Sequence, residues 1–224
     1  MRLQVVSPAS FLSIAASSME TTAQATIWTD RLCLVPLSDD HLEHEIQLDS
    51  DPDVVKYIGN GRPRSRSVVE RLHQERMAAA KLAHGQGFWA GFLRPDSSSS
   101  AGNKNGTGEF VGWWILEPPQ RQDQGPRDNR AELGYRLMKK FWRQGLAKEG
   151  AKALIRHGFE HLGLVSIYAE TMAVNEASRA TMRSLGMKHV RTFYLHFDEK
   201  IEGWEEGEVE YAITVEGWQA LANN

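Results

Sequence analysis

One stretch of the sequence combines residues that could bind an anion. The segment 143–148, Arg-Gln-Gly-Leu-Ala-Lys, follows an alternating run over 131–138 and opens an amphipathic pattern that extends to about His161. This order predicts a strand, a tight turn and a long helix. The first N–H groups of a helix have no partner within the helix and carry a partial positive charge, so a glycine-containing loop there can bind phosphate. We therefore expect an anion at residues 143–148.

Other phosphate-binding motifs do not fit this stretch. Gly145 and Gly150 are spaced as in a P-loop, but Ala151 stands where that motif needs lysine, and no GxGxxG follows a predicted strand. Taken alone, one glycine before a helix is also what a capped core helix without a ligand would contain. The motif by itself therefore leaves both an anion site and a purely structural helix start open.

Residue types that other kinds of site require are sparse. The single cysteine, Cys33, excludes an intramolecular disulfide framework and a thiolate-rich zinc site. His157 and His161 are four residues apart on the predicted helix, a spacing found in metal sites, but without a third ligand we interpret them as helix-surface histidines. Neither HExxH nor GxSxG occurs. We therefore predict no bound metal.

The composition predicts one globular domain. With 224 residues, 41% of them apolar, the chain can bury a single substantial core. The net charge of −3 conceals ten Lys or Arg against four Asp or Glu over 121–156, a local charge of +6 around the predicted anion loop. A solvated helix face would carry the same run of charge. Because the total charge is negative and no basic stripe alternates with aromatic residues, we expect no nucleic-acid partner.

The N-terminal segment differs from the rest of the chain. It is rich in Ser, Ala and Thr, and its apolar residues are too interrupted for the core of a signal peptide. No stretch reaches the roughly 18 apolar residues of a membrane span. We predict a disordered tail over 1–26, a folded domain over 27–224, and a cytoplasmic protein without membrane contact. Because the tail is Ser-rich and nearly free of acidic residues, organellar targeting stays open as an alternative.

The elements that must position the loop follow from periodicity and turn residues. The predicted strands lie near 32–37, 88–93, 110–116, 131–138, 165–171, 188–197 and 208–215. The predicted helices cover about 38–51, 67–84, 145–161 and 175–185. The segments 96–108 and 118–129 are predicted to be mobile loops, because they are rich in polar and turn-forming residues. This order predicts a mixed sheet covered by helices.

Four parts of the chain match one known family in the family's own order. They are DRLCLVPL over 30–37, ELGY over 132–135, WRQGLA over 142–147, and NEAS over 175–178 with LGM over 185–187. On these segments the chain resembles the GCN5-related N-acetyltransferase (GNAT) superfamily, and in particular its RimJ/RimL-like branch. The resemblance implies an α+β fold with a central, mixed and splayed sheet of about seven strands, flanked by about four helices.

The resemblance also implies a site for acetyl-CoA. In that family the loop before the long helix binds the pyrophosphate through backbone N–H groups, and the preceding strand pairs with the pantetheine arm. Trp142 and Arg143 depart from the family's usual residues, but the backbone donors are unaffected. The implied coenzyme-binding residues are Tyr135, Arg136, Leu137, Arg143, Gln144, Gly145, Leu146, Ala147, Lys148, Asn175 and Ser178.

Acetyl transfer from a thioester to an amine needs a proton acceptor for the amine and a proton donor for the departing thiolate. Many relatives have a tyrosine seven residues after the asparagine, where this chain has Met182. The RimL-like pattern instead has a serine three residues after the asparagine, which is Ser178 here. We therefore predict Ser178 as the acid and Glu132 as the base, with Glu109 as the alternative base. A surface hydroxyl at Ser178 and an arginine-paired carboxylate at Glu132 are the structural alternatives.

The implied function is an N-acetyltransferase in which a primary amine attacks acetyl-CoA directly in a ternary complex. The acceptor could be a protein N-terminus, a small amine or an antibiotic-like molecule, and the acidic run 198–210 would favour a cationic amine if it folds over the acceptor side. The missing helix tyrosine leaves a second function open, a catalytically idle protein that binds coenzyme A as a sensor or interaction protein. A monomer and a homodimer formed through the strands after Gly186 both agree with the sequence.

Overall fold

A computed structural model describes residues 23–94, 108–195, 199 and 201–222. The strands are β1 (Ile27–Trp28), β2 (Leu32–Pro36), β3 (Gly87–Leu93), β4 (Phe110–Glu117), β5 (Arg130–Leu137), β6 (Ser166–Met172), β7 (Lys188–Phe193) and β8 (Glu208–Thr214). The helices are α1 (Leu42–Asp49), α2 (Pro52–Val55), α3 (Arg66–Ala80), α4 (Leu146–Glu160), α5 (Glu176–Ser184) and α6 (Val215–Ala222). Residues 1–22 of the predicted tail and nearly all of the predicted loop 96–108 lie outside the described residues.

The strands form one mixed sheet in the order β1-β2-β3-β4-β5-β6-β8-β7. Neighbouring strands are antiparallel except for β5 and β6, which are parallel. These two strands pair only over 130–132, opposite 166–168, whereas β5 stays paired with β4 as far as Leu137. The strands therefore separate after Glu132 and leave a cleft between β5 and β6. The predicted mixed, splayed sheet is confirmed.

Helices cover the two faces of the sheet. α1, α2 and α3 enclose a core that contains Leu48, Val54 and Trp113, while α4 and α5 enclose a second core that contains Trp114 and Leu154. Trp113 and Trp114 are consecutive residues of β4 on opposite faces, as the two-residue period of a strand requires. The sheet thus separates two layers of side chains. The cleft between β5 and β6 interrupts the sheet and connects its two faces.

α4 is the helix that begins at the predicted anion loop. Its buried residues recur at helical spacing and include Gly150. This residue must be glycine, because a Cβ at that position would lie 2.4 Å from the Trp114 ring. Trp114 is fully buried and donates its Nε1 to the carbonyl of Ala147 at 3.2 Å. The first turn of α4 is therefore held directly against the centre of the sheet.

The structure has eight strands and six helices among the described residues, against about seven and about four predicted. β1 has two residues, and α2 is a single turn that Pro52 opens and Asp51 caps. α6 begins at Val215, where the prediction still had a strand, and its Trp218 packs against Phe159. These short elements span too little sequence for a clear hydrophobic period and depend on contacts with distant residues.

Two segments predicted to be mobile or disordered have defined contacts. In the loop 118–129, Gln124 is buried, and its Nε2 donates to Glu132 at 3.2 Å and to Glu170 at 3.1 Å. These contacts, 8 and 46 positions along the chain, hold Gln124 against β5 and β6. Before β1, Gln24 donates to the carbonyl of Phe88, and residues 23–26 run beside β3. In the part of the chain that the structure describes, no helix is long and apolar enough to cross a membrane.

Candidate active site

The loop between β5 and α4 has the geometry of an anion site. Arg143 and Gly145 have left-handed backbone conformations, with φ of 60° and 78°. The backbone N–H groups of residues 145–148 donate to no acceptor among the residues that the structure describes. α4 has 15 residues, and its dipole adds partial positive charge at this end. The predicted cradle at 143–148 therefore presents unused donors at a favourable potential.

An ion pair holds this loop in place. Arg31 donates its Nε to Glu149 at 2.7 Å and its Nη1 to the carbonyl of Gln144 at 2.9 Å. Thr29 adds a hydroxyl hydrogen bond of 2.6 Å to the same carboxylate. Burial alone would raise the pKa of Glu149, but the hydrogen bonds from Thr29 and Arg31 hold that pKa below its ordinary value. No local pattern in the sequence marks Arg31 for this role, although it lies in the matched segment 30–37.

The edge of β5 that faces the cleft carries unpaired backbone groups. The N–H of Met138 donates to Val111 on β4, and backbone groups alternate in direction along a strand. Arg136 therefore directs its backbone towards β4, while Tyr135 and Leu137 direct theirs into the cleft. An extended ligand could pair with these two residues as an added strand would.

Trp142 limits what this edge can offer. Its Nε1 donates to the carbonyl of Leu137 at 2.8 Å, so that carbonyl already has a partner. The N–H of Leu137 and both backbone groups of Tyr135 are the ones that face the cleft without a strand beside them. Trp142, one of the two departures from the family pattern, thus shapes the β5 edge through its side chain.

Arg136 does not fit the coenzyme role predicted for its main chain. Its backbone belongs to the β4–β5 ladder, and its guanidinium pairs with Asp49 of α1 and lies 4.7 Å from the centre of the Trp113 ring. Asp49 is buried and also accepts from Arg64 at 2.8 Å. Burial lowers the pKa of Arg136 to about 10 despite the attraction of Asp49. Arg136 therefore ties α1 to the strand beside the cleft.

The start of α5 brings the predicted acid to the cleft. Asn175 caps this helix, because its side-chain oxygen accepts from the N–H of Ser178 at 3.2 Å and its Nδ2 donates to Thr171 at 3.0 Å. The Oγ of Ser178 lies 3.2 Å from the hydroxyl of Tyr135 on the other side of the cleft. Met182, at the position of the tyrosine in many relatives, is buried in the core. Ser178 and Tyr135 are thus joined, a contact that the sequence analysis missed.

Glu132 lies where β5 and β6 separate. Its carboxylate accepts from Gln124 at 3.2 Å and from the hydroxyl of Tyr168 at 3.4 Å. Burial, followed by repulsion from Glu170 and Glu117, raises the pKa of Glu132 to about 7. A carboxylate with this pKa can accept a proton at neutral pH.

The structural alternatives for the base are less favourable. Arg130 bonds to Glu210 and Arg136 to Asp49, so neither of the arginines considered as structural partners bonds to Glu132. Glu109, the alternative base, is 57% exposed and pairs with Lys140. It also precedes β4, roughly 25 Å along that strand from the position opposite Glu132. Of the two predicted bases, Glu132 and not Glu109 lies at the point where β5 and β6 separate.

The two histidines of α4 do not form a metal site. Their rings stack at 5.2 Å, and His157 is buried beside Trp89, so the interpretation of both as surface residues was wrong for His157. Burial, assisted by repulsion from His161, lowers the pKa of His157. Over residues 23–94, 108–195, 199 and 201–222, no group of three His, Cys, Asp or Glu side chains could hold a metal ion.

The cleft after Glu132 and the loop 143–148 before α4 lie where the family resemblance implied them, and the Tyr135–Ser178 contact adds to that arrangement. The sequence profile of the family described as "Acetyltransferase (GNAT) domain" matches residues 31–188, which include all of these features. The chain belongs to the GNAT acetyltransferase family. This GNAT protein is accordingly an acetyl-CoA-dependent N-acetyltransferase, as predicted.

Individual relatives agree with this assignment. The Aspergillus fumigatus protein "FsC-acetyl coenzyme A-N(2)-transacetylase" is 43% identical over 202 residues, which cover 89% of this chain and 80% of that protein. "Uncharacterized N-acetyltransferase YoaA" of Bacillus subtilis is 28% identical over 160 residues, 71% of this chain and 81% of that protein. The GNAT protein therefore has similar proteins in both fungi and bacteria.

Solved structures share the fold. An acetyltransferase of the GNAT family from Bacillus anthracis has a TM-score of 0.66 at 22% identity, and the match covers 86% of this chain and 99% of that one. RimL, the ribosomal L7/L12 alpha-N-protein acetyltransferase solved in complex with coenzyme A, has a TM-score of 0.66 at 15% identity with the same coverage. At such identities the likeness supports the fold, whereas the family assignment rests on the sequence profile.

The charge of Arg143 gives a first testable prediction. Arg143→Asn should weaken coenzyme A binding about fivefold, because it removes a charge worth about 1 kcal/mol near an exposed phosphate, while Asn tolerates the left-handed backbone. Titration calorimetry should find a smaller effect at 1 M salt, where charges are screened. The matched control is Arg156→Asn, on the exposed side of α4 about 15 Å further along the helix. Equal losses in both variants would contradict a phosphate site at this loop.

Proposed function

We propose that this acetyltransferase acts on a primary amine of a small molecule, with Glu132 as the base and Ser178 as the acid. The observation that carries the proposal is Glu132 itself, a carboxyl group with a pKa of about 7 at the point where the cleft opens. In this proposal the acceptor amine lies on the sheet face that carries the Glu132 side chain. The thioester reaches it through the cleft, which the backbone of Tyr135 lines. A base is most useful there because the attacking amine must be neutral.

The sequence relatives favour a small acceptor over a protein N-terminus. The 43% identical fungal relative is named "FsC-acetyl coenzyme A-N(2)-transacetylase", a name that mentions no protein acceptor, whereas RimL, at 15% identity, is named for an alpha-N-protein acceptor. We therefore extend the first kind of acceptor to this chain. Glu208, whose pKa burial and Glu170 raise to about 7, lies on the same sheet face as Glu132, so this face offers a basic amine a second carboxyl group.

The proposed reaction balances without a covalent enzyme intermediate. The amine nitrogen attacks the thioester carbon, and its extra proton passes to Glu132. The C–S bond then breaks, and the departing sulfur takes a hydrogen from the Ser178 hydroxyl. Ser178 and Glu132 return to their starting protonation states by exchange with water after the amide and coenzyme A leave. The unpaired N–H groups at 143–148 would hold the pyrophosphate throughout.

Release of coenzyme A thiol from acetyl-CoA tests the acceptor class. We expect turnover with small basic amines, such as diamines and amino-acid amides, and little with peptides that offer only an α-amino terminus. Turnover confined to the peptides would overturn the small-molecule acceptor. Tight coenzyme A binding in calorimetry with no turnover across both groups would instead support the sensor alternative.

Ser178→Ala tests the proposed acid. We expect turnover to fall about a hundredfold, the usual contribution of one positioned proton donor, with coenzyme A affinity nearly unchanged. The matched control is Ser184→Ala on the same helix, since the hydroxyl of Ser184 is exposed and bonds to the carbonyl of Thr181. Steady-state kinetics and calorimetry together measure both quantities. An unchanged turnover in the Ser178 variant would remove this residue from the mechanism.

A further inference from the structure

We infer that Tyr135 is a positioning residue for acetyl transfer, whose hydroxyl donates to Ser178 and directs the serine hydrogen towards the departing sulfur. The inference rests on the proposed function and assigns a side-chain role to a residue that the sequence analysis connected only with backbone pairing. Its basis is the contact between β5 and α5 across the cleft, supported by the behaviour of the other hydroxyl groups of α5.

Tyr135 reaches across the cleft at a point where the two strands are no longer paired. Its hydroxyl lies 3.2 Å from the Oγ of Ser178 and 3.3 Å from the carbonyl oxygen of the same residue. β5 and β6 stop pairing at Glu132, three residues earlier on β5. The Tyr135–Ser178 contact therefore joins the two sides of the cleft directly.

The other hydroxyl groups on α5 behave differently from that of Ser178. Thr181 donates to the carbonyl of Ala177 at 3.0 Å, and Ser184 donates to the carbonyl of Thr181 at 2.8 Å. This bonding to the helix's own backbone is the usual state of a helical serine or threonine, and it consumes the hydroxyl hydrogen. Thr181 also contacts the Tyr135 phenol, but only Ser178 among the three lacks a hydroxyl hydrogen bond to the backbone of its own helix within the described residues. If Tyr135 donates, the hydrogen of Ser178 stays available for another acceptor.

The protonation state of Tyr135 suits a donor. Burial raises the pKa of its phenol, and the hydrogen bonds with Ser178 and Thr181 oppose this only in part. The phenol is therefore protonated at neutral pH. Hydrogen bonds in series polarise one another, so donation by Tyr135 makes the Ser178 hydroxyl a better donor in turn.

The proton balance of the step is complete. As the C–S bond breaks, the sulfur takes the hydrogen of Ser178, while Tyr135 keeps its own proton and its hydrogen bond stabilises the negative charge that develops on the oxygen of Ser178. Ser178 regains a proton from water after coenzyme A leaves. Because the ordinary pKa of a thiol is about 8.5 and that of tyrosine about 10, the phenol holds its proton more firmly than the product thiol. Tyr135 therefore assists through its hydrogen bond to Ser178 and does not give up its own proton.

A double-mutant cycle tests this role. We expect Tyr135→Phe to lower turnover about thirtyfold, with the Michaelis constant and the dissociation constant of coenzyme A within twofold of wild type. Because Tyr135 acts through Ser178, the double variant Tyr135→Phe with Ser178→Ala should be no slower than Ser178→Ala alone. The matched control is Tyr211→Phe, whose hydroxyl contacts Arg179 and Arg183 on the same helix and should leave turnover unchanged.

The outcomes separate this inference from the proposed function. If the wild-type protein transfers acetyl groups and Tyr135→Phe does so equally well, or if the two single losses multiply in the double variant, the inference is overturned and the proposed function stands. If Ser178→Ala keeps full turnover, the proposed acid and this inference both fail.

If Tyr135→Phe does not fold, 3-fluorotyrosine placed at 135 keeps the contact and lowers the phenol pKa. The fall in turnover at alkaline pH should then begin at a lower pH, and an unmoved profile overturns the inference.

Discussion

Glu132→Gln should lower turnover about a thousandfold at pH 7.5, since a positioned base contributes on the order of 10² to 10⁴ to such a reaction. Glutamine keeps the shape and the hydrogen-bonding capacity of the side chain towards Gln124 and Tyr168, but it cannot accept the amine proton. Coenzyme A affinity should be unaffected, because the predicted phosphate and pantetheine contacts lie further along β5 and in the loop 143–148. Steady-state kinetics with acetyl-CoA and calorimetry with coenzyme A measure the two effects separately.

The dependence of kcat/KM on pH provides a second test of Glu132 as the base. The base must be ionised to act, and the pKa of Glu132 is raised to about 7, so wild-type kcat/KM should fall as the pH falls through 7. The Glu132→Gln variant should lack this acidic limb. Glu109→Gln is the control, since Glu109 is exposed and should keep both the rate and the profile. A variant at Glu132 that retains the acidic limb would rule this residue out as the base.

The Glu132 carboxyl group should affect stability and rate with opposite dependences on pH: the rate rises with pH, whereas the stability falls. This difference separates loss of function from loss of fold. Folded Glu132 holds a proton up to a pH of about 7, whereas its ordinary pKa is 4.5. Its stabilising contribution is therefore complete below pH 4.5 and is lost as the pH rises through 7. Glu132→Gln should consequently lose less unfolding free energy than wild type between pH 5 and pH 8. Denaturant titrations at the two pH values measure this difference.

Trp114→Ala should cost the most stability of any single substitution considered, about 3 to 5 kcal/mol of unfolding free energy. Trp114 is fully buried at the centre of the sheet, and its ring fills the space left by two glycines. A Cβ at Gly91 would lie 2.2 Å from that ring and one at Gly150 would lie 2.4 Å from it. Domains are commonly stable by only about 5 to 15 kcal/mol, so this loss should bring the variant close to unfolding.

Trp114→Ala should also affect the loop 143–148. Its Nε1 donates to the carbonyl of Ala147, so the substitution should loosen the first turn of α4 and weaken coenzyme A binding in whatever fraction remains folded. Urea unfolding followed by circular dichroism measures the stability. Trp28→Ala is the matched control, because Trp28 is 53% exposed and its loss should cost less than about 1 kcal/mol. A Trp114 variant as stable as the Trp28 variant would contradict the central role of this side chain.

Much of the site followed from local patterns in the sequence. The strand before the loop, the helix after it and the glycine between them depend on periodicity and on backbone preferences that a few neighbouring residues express. The resemblance then connected this loop with Asn175 and Ser178, which the structure places at the start of α5 beside the cleft. The mixed and splayed sheet was predicted in the same way and is present in the fold, whereas the order β1-β2-β3-β4-β5-β6-β8-β7 and the separation after Glu132 came from the structure.

Contacts between distant residues decided the rest. Arg31 meets Glu149 from 118 positions away, and Tyr135 meets Ser178 from 43 positions away. No periodicity encodes either pairing, because each depends on how β5, α4 and α5 pack together. The buried position of Gln124, in a loop that its composition predicted to be mobile, has the same origin.

The sequence by itself determined the family, the order of the elements and the chemical types available at the site. It contains Glu132, Ser178 and the loop 143–148, and it has methionine at position 182, where many relatives have a tyrosine. Only the tertiary structure decided what these groups can do. The pKa of Glu132 depends on burial and on repulsion from Glu170 and Glu117, which folding brings close, and the donor behind Ser178 depends on a tyrosine from the opposite side of the cleft. Reactivity follows the surroundings of a side chain, and those surroundings exist only once the chain has folded.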